Sequence, residues 1–315
     1  MSDVLLSVTD DGVGLVRLNR PQAINALSVE LFETLESGLT TWFEQGNLTG
    51  LDIAGEGSRG FCAGADVRTL RSWALEDADK AAGFLHLEYR VDRLVAEAPV
   101  PVTAHLHGVT MGGGVGLTLR AGRRITAPDL QWAMPEVQIG LWPDVGVTYE
   151  FARLPGELGV HLAMTGVTLD AGSALYAGLV DELADGADPE PLAAASDLAR
   201  DAGWIAECYA GDDPAIILAR LEHHPNERAR AAAALIRTRC PLTVCVALAA
   251  IRQAAALPSL AATFDRDARA AYHSVREPDL VEGVRAQLVD KDKRPRWRHA
   301  WVEDVDPAEV AATLA

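Results

Sequence analysis

The apolar positions near the N-terminus fall in two short β-prone runs, Val4 to Val8 and Val13 to Leu18. Asp10-Asp11-Gly12 between them supplies a turn, which predicts a hairpin over residues 4–19, and Asn19-Arg20-Pro21 ends its second strand. The pattern then changes. Leu31, Leu35, Leu39 and Trp42 recur at spacings of four, four and three, the face of a helix that Ser28 caps and Gly46 stops. Leu51 to Ala54 reads as a strand running into a flexible loop, Gly55 to Gly60. Residues 73–97, rich in Ala, Leu and Glu, read as a helix closed off by Pro99 and Pro101. Val102 to His107 is the next strand, and a glycine-rich turn then leads into a helix from about Gly113 to Arg120. Arg124 to Ala127 and Leu130 to Ala133 are short strands. Further helices are expected from Pro143, from Gly156 to Thr165, and from Leu169 to Ala177 with Asp170 as the cap.

Strands alternate with helices up to about residue 185, which argues an α/β architecture. Beyond about 190 the strand signals vanish, and residues 191–272 are Ala-rich and helical, interrupted at Pro241 and Pro258. The chain therefore divides into an α/β core, 1–190, and a helical C-terminal region, 191–315, with 184–191 as the linker. A length of 315 residues gives a prior of about two domains. The pattern narrows this to one core with a helical extension.

Composition excludes several classes. Hydrophobic residues make up 49% and charged residues 23%, so the chain can bury a sizeable core. No run of about 18 uninterrupted apolar residues occurs, so no membrane span is expected. The net charge of −17, with no basic block to offset it, argues against nucleic acid and anionic membranes as partners. Cys62, Cys208, Cys240 and Cys245 form no CxxC pair and read as buried or free thiols of a reducing compartment. Met1-Ser2-Asp3-Val4 carries no signal or transit pattern, so a cytoplasmic location is the expectation.

Three segments carry candidate chemistry. In Gly112-Gly113-Gly114-Val115-Gly116 the glycines either let a strand pack closely on a helix or aim backbone N–H groups at a ligand oxygen. The run fails the dinucleotide template, because Leu117 stands at the sixth position, and no Walker lysine follows. Phe61-Cys62-Ala63-Gly64-Ala65-Asp66 is a second small-residue loop, and two such loops can form an oxyanion hole for a thioester or ester carbonyl. In the third segment, Met134 to Gly146, Glu136 and Asp144 stand among apolar residues, where burial would suit a carboxylate to acid–base work. Asp144, just after Pro143, equally fits the first turn of a helix. The eight histidines show no HExxH or HxxxH spacing and no metal site is expected; the absence of GxSxG leaves a serine hydrolase without support.

Together these segments resemble the crotonase (enoyl-CoA hydratase/isomerase) superfamily. The resemblance starts at Leu18-Asn19-Arg20-Pro21-Gln22-Ala23-Ile24-Asn25-Ala26-Leu27, passes through the Phe61–Asp66 and His107–Gly116 segments, and closes the core at Met164-Thr165-Gly166. It implies the crotonase (ClpP-like) fold, a ββα spiral core with a helical C-terminal region. It also implies that two backbone N–H groups, here Ala65 and Gly113, hold a CoA thioester carbonyl. Ala23, Ile24, Ala63, Asp66 and Gly112 match substrate-binding positions.

Within the superfamily the chain looks most like the 3-hydroxyisobutyryl-CoA hydrolase branch. The features are Glu88-Tyr89, Thr110 to Gly116, Met134-Pro135-Glu136 through Pro143-Asp144-Val145-Gly146, and the C-terminal Glu282-Gly283-Val284-Arg285-Ala286, Asp290-Lys291-Asp292 and Pro295-Arg296-Trp297. The branch implies thioester hydrolysis, with Glu136 and Asp144 catalytic and Glu88 on the substrate hydroxyl. Ordinary hydratases carry two catalytic glutamates; one matches Glu136, and the other falls at Gly116. Two departures stand out: Ala65 replaces the branch's usual glycine, and Gln22 replaces a lysine common near CoA. The resemblance implies no metal or separate cofactor, since CoA is part of the substrate. It makes a homo-oligomer, a trimer or pair of trimers, the expected assembly. A hydratase or double-bond isomerase using Glu136 alone, or a non-catalytic acyl-CoA binder, are the competing readings. CoA is itself polyanionic, so a chain of charge −17 must offset its own field locally; Arg20, Arg59, Arg68 and the run Lys291, Lys293, Arg294, Arg296 and Arg298 are the candidates.

Overall fold

The computed structural model describes residues 2–315; Met1, part of the N-terminal segment read above, lies outside them. The strands are β1 Val4–Val8, β2 Val13–Leu18, β3 Gly50–Gly55, β4 Val102–Leu106, β5 Val109–Met111, β6 Arg123–Thr126, β7 Gln131–Ala133 and β8 Glu182–Leu183. The helices are α1 Val29–Gln45, α2 Val67–Glu76, α3 Ala78–Ala96, α4 Gly113–Gly116, α5 Val147–Phe151, α6 Leu158–Thr165 and α7 Ala171–Tyr176, then α8 Glu190–Ala194, α9 Asp197–Cys208, α10 Pro214–His223, α11 Glu227–Ile236, α12 Pro241–Ala256, α13 Leu260–Ser274, α14 Pro278–Val284 and α15 Pro307–Thr313.

Two compact units share the chain discontinuously: residues 2–66, 87–133 and 168–199 make one, and 67–86, 134–167 and 200–315 the other. The boundary expected at 190 falls inside the first unit. The expectation of helix alone beyond that point matches the described residues, which hold no strand after β8.

The first unit is built on a six-stranded sheet of order β1-β2-β3-β4-β6-β8. Only the β1–β2 pair is antiparallel, as its hairpin connection requires. β3, β4, β6 and β8 add in parallel, with Leu18 opposite Gly55, Ala54 opposite His105 and Leu106 opposite Thr126. A separate parallel pair, β5 with β7, stands beside it. α1 forms where the spacing predicted. Ser28 accepts from the Leu31 N–H, a cap worth about 1 kcal/mol, Gly46 ends the helix at φ +64°, and Leu31, Phe32, Leu35 and Leu39 are buried.

The second unit is helical, and α12 is its core. The interruption expected at Pro241 is the break between α11 and α12, and Pro241 starts α12 at a position where the missing N–H costs nothing. Eleven α12 residues, from Pro241 to Ala254, are buried.

Other local expectations differ from the structure. The 73–97 helix is two helices, broken at Asp77, whose carboxylate accepts from the Asp79 and Lys80 N–H groups and so starts a new helix. The helix from Gly113 stops after one turn at Gly116 rather than reaching Arg120. The helix expected from Pro143 starts at Val147, so Asp144 lies in non-helical chain ahead of it. β5 and β8 are three and two residues long, too short to show as periodic runs.

Candidate active site

In the first unit three stretches converge beside the sheet. The 56–66 loop follows β5 rather than hanging free: Phe61 N–H donates to His107 O at 2.8 Å, Cys62 N–H to Val109 O at 3.0 Å, and Met111 N–H to Cys62 O at 2.9 Å. Further bonds tie it to the 20–27 segment, Ala63 N–H to Ile24 O, Leu27 N–H to Gly64 O and Asp66 N–H to Leu27 O, each 2.9 Å. Among the expected binding residues, Ala63 and Ile24 are thus direct partners. Ala23 closes the single 3-10 turn Pro21–Ala23 just before Ile24. Gly112 donates to Ala133 O at 3.2 Å and precedes α4.

These bonds leave several donors over, the Ala65, Gly113 and Gly114 N–H groups among them. Gly64 N–H is directed to Cys62 Sγ, and the Ala63, Asp66 and Gly112 N–H groups are spent as described. Neither the Ala65 nor the Gly113 N–H meets an acceptor among the described residues. Gly113 is the first residue of α4, where backbone N–H groups lack intrahelical partners. The two loops are in contact, since a Cβ built on Gly64 would sit 3.2 Å from Gly113 N. A pair of unspent peptide donors in one place is what a developing oxyanion requires.

Glu88 joins this cluster from α3. It is 2% exposed, and a Cβ on Gly113 would fall 2.0 Å from its Oε1. Glycine at 113 therefore leaves room for a carboxylate beside the unspent donor. The Cys62 thiol is no nucleophile here. Burial, aided by the negative charges of Glu88 and Asp92, pushes it up to about 12, against a weaker lowering by the Gly64 N–H.

Asn25 is the residue that the sequence reading missed. It is fully buried at φ +52°, a backbone state Asn tolerates better than most residues. Its Oδ1 accepts from Arg20 N–H at 2.9 Å, and its Nδ2 donates to Glu56 O at 3.0 Å and Phe61 O at 2.9 Å. This one amide joins the start of the 20–27 segment to the loop that carries Ala65. Its position just after Pro21, within the quoted motif, was the available signal.

Glu136 and Asp144 belong to the second unit and are both buried, at 7% and 8% exposure. Glu136 opens a 3-10 turn, Glu136–Gln138, and its carbonyl accepts from Ile139 and Leu141 N–H. The following chain is braced by C-terminal elements: Cys240 N–H donates to Val137 O at 3.0 Å, a Cβ on Gly140 would fall 2.3 Å from the Asp279 backbone, and one on Gly283 would fall 2.4 Å from that of Ile139. Gly283 lies in the C-terminal motif quoted above, and this backbone contact is its physical role. Val145 and Gly146 follow Asp144 at φ +49° and +76°. A β-branched residue in that region costs about 1–3 kcal/mol and persists only where its surroundings hold it.

Arg20, Arg59 and Arg68 are engaged within their own units. Arg20 pairs with Asp3, Arg59 donates to Pro21 O and Gln22 O, and Arg68 donates to Leu288 O. Arg298 pairs with Glu277 and Glu309. No group of three or more potential ligands that could hold a metal ion occurs among the described residues.

The model of the enoyl-CoA hydratase/isomerase family matches residues 13–195 and 183–314. The chain belongs to this family. It is 30% identical over 339 residues to 3-hydroxyisobutyryl-CoA hydrolase, mitochondrial, of Gallus gallus, covering 96% of this chain and 86% of that one. Among solved structures it resembles a carnitinyl-CoA dehydratase from Mycobacterium thermoresistibile, at 38% identity and TM-score 0.91, and an enoyl-CoA hydratase from Rhodobacter sphaeroides, at 35% and 0.92; each match covers 100% of this chain and 97% of the other. The fold is thus the crotonase fold, and the chain is a crotonase-family enzyme acting on acyl-CoA substrates.

Proposed function

We propose that the chain hydrolyses a short-chain β-hydroxyacyl-CoA thioester, 3-hydroxyisobutyryl-CoA in the first instance, to the free hydroxy acid and CoA, a reaction of valine breakdown. One observation favours this over hydration: the resemblance places the hydratases' second glutamate at Gly116, which is buried and has no side chain to move a proton. Ala65 and Gly113 N–H groups would stabilise the tetrahedral oxyanion, and loss of one such donor costs a factor of about 100 to 1,000 in rate. Glu136 acts as general base on water or as a nucleophile that forms a mixed anhydride. Asp144 holds the water or tunes Glu136, because a second carboxylate raises the first one's proton affinity. Water adds to the carbonyl, the C–S bond breaks, and the thiolate leaves with the proton as CoA-SH. Glu88, beside Gly113, accepts the hydrogen bond of the substrate's hydroxyl and so selects β-hydroxy esters. The curated relative's name supports this reading.

The solved structures described as a dehydratase and a hydratase favour a second reading, in which Glu136 alone serves water addition or loss. One experiment separates them. Purified protein is given 3-hydroxyisobutyryl-CoA and crotonyl-CoA while free thiol and enoyl absorbance are followed. Thiol release from the hydroxy ester supports hydrolysis; loss of enoyl absorbance without thiol supports hydration. Inertness with tight ester binding means a binder. Glu136→Gln and Asp144→Asn should each reduce turnover while leaving CoA-ester binding largely intact, and undiminished turnover in either removes that residue's role.

A further inference from the structure

α13 carries an ion pair that the chemistry above does not use. Arg266 and Asp267 are 2% and 0% exposed, with Arg266 Nη2 2.7 Å from Asp267 Oδ1. Replacing such a buried pair with apolar residues is often neutral or stabilising, so fold stability alone is a weak explanation for it. Its other contacts converge on one place. Asp267 Oδ2 accepts from the Gly146 N–H at 2.9 Å. Arg266 donates to Thr148 Oγ1 at 2.6 Å and to Ala250 O at 2.7 Å, and its guanidinium lies 5.2 Å from the Trp142 ring centroid. Trp142 Nε1–H in turn donates to Ser274 Oγ at 3.3 Å, from the same helix. Residues 142, 146 and 148 are thus held on both sides of Asp144. Between them Val145 sits at φ +49°, a state it does not adopt unaided.

We propose that the Arg266–Asp267 pair is the positioning element of the candidate active site: it pins Gly146, Trp142 and Thr148 so that the intervening turn presents the Asp144 carboxylate in one place. Neither residue touches substrate. The role rests on the assignment of Asp144 made under Proposed function.

Two charge-free double variants of the full chain isolate the pinning contact. Arg266→Met with Asp267→Asn keeps an oxygen to accept the Gly146 N–H; Arg266→Met with Asp267→Leu does not. If positioning is the role, the leucine form loses about 100-fold in kcat, the scale of a misplacement of about 1 Å, with KM unchanged within about threefold. The asparagine form recovers most of that loss. Equal kcat in the two folded forms, or a loss confined to KM, overturns the proposal. Should either double variant fail to fold, Thr148→Val decides: it removes the guanidinium's hydroxyl partner at nearly constant volume, and an unchanged kcat overturns the proposal. The comparison uses whichever ester the wild type turns over. Hydration of crotonyl-CoA without hydrolysis refutes the hydrolase assignment but leaves this comparison intact, whereas inertness toward both esters refutes both.

Discussion

Gly113→Ala tests the geometry at its tightest point. The new methyl would fall 2.0 Å from Glu88 Oε1 and 3.1 Å from Leu27 Cδ1. Ordinary contact begins at 3.4 Å, so the carboxylate must retreat by about 1.4 Å or the first turn of α4 must shift. Glu88 is buried, and overpacking of this kind costs about 1–3 kcal/mol. Either response misaligns the Gly113 N–H with Glu88, so turnover should fall by about 100-fold or more, the scale of losing one oxyanion donor. The assay is a double-mutant cycle with Glu88→Ala, reading stability by urea unfolding and turnover by thiol release. Removing the carboxylate opens the space, so the double variant should be more stable than the two single effects predict, by about 1 kcal/mol or more. Turnover of the β-hydroxy ester should stay low, since the hydroxyl's partner is gone. Additive stabilities, or a Gly113→Ala enzyme with wild-type kcat, would refute the reasoning.

Two further outcomes follow from buried groups. Asn25→Ala removes the amide that joins Arg20 N–H to Glu56 O and Phe61 O and places alanine at φ +52°; urea unfolding should show a loss of about 3 kcal/mol, and Asn25→Gly, free of the backbone cost, should lose about 1 kcal/mol less. Burial among Trp204 and Tyr209 holds His161 at about 4, below its ordinary 6.5, while its Nδ1 shares a hydrogen bond with the Tyr209 hydroxyl. The unfolded chain binds the proton more readily, so this contribution is complete above pH 6.5 and is lost as pH falls toward 4. Its size is about 3 kcal/mol, and wild type minus His161→Gln in urea unfolding across that window should recover it; a difference independent of pH would show that the ring titrates normally.

Local rules settled a good deal in advance. The hairpin closed by Asp10-Asp11-Gly12, the Ser28–Gly46 helix and the Asp170 cap of α7 each rest on a few neighbouring residues, and each formed where the sequence placed it. The motif residues 23–25, 63–66 and 112–116 were also legible, because glycine and small residues mark places where backbone must come close to something. What they come close to is a matter of tertiary structure. That the Ala65 and Gly113 N–H groups lack acceptors while those of Ala63, Asp66 and Gly112 are engaged is a question of long-range bonds, most of them between residues 20–27, 56–66 and 107–113. The proline ahead of Asp144 suggested a helix start, yet α5 begins four residues after it, because the Gly146 N–H is taken by the carboxylate of Asp267, far along the chain. β5 and β8, at three and two residues, carry no period of their own and exist only because β7 and β6 are there to pair with them. Spacing along a chain reports the partners a residue finds within a turn or a strand; the partners of Asn25, Gly113 and Gly146 lie dozens of residues away, and only the folded chain brings them within bonding distance.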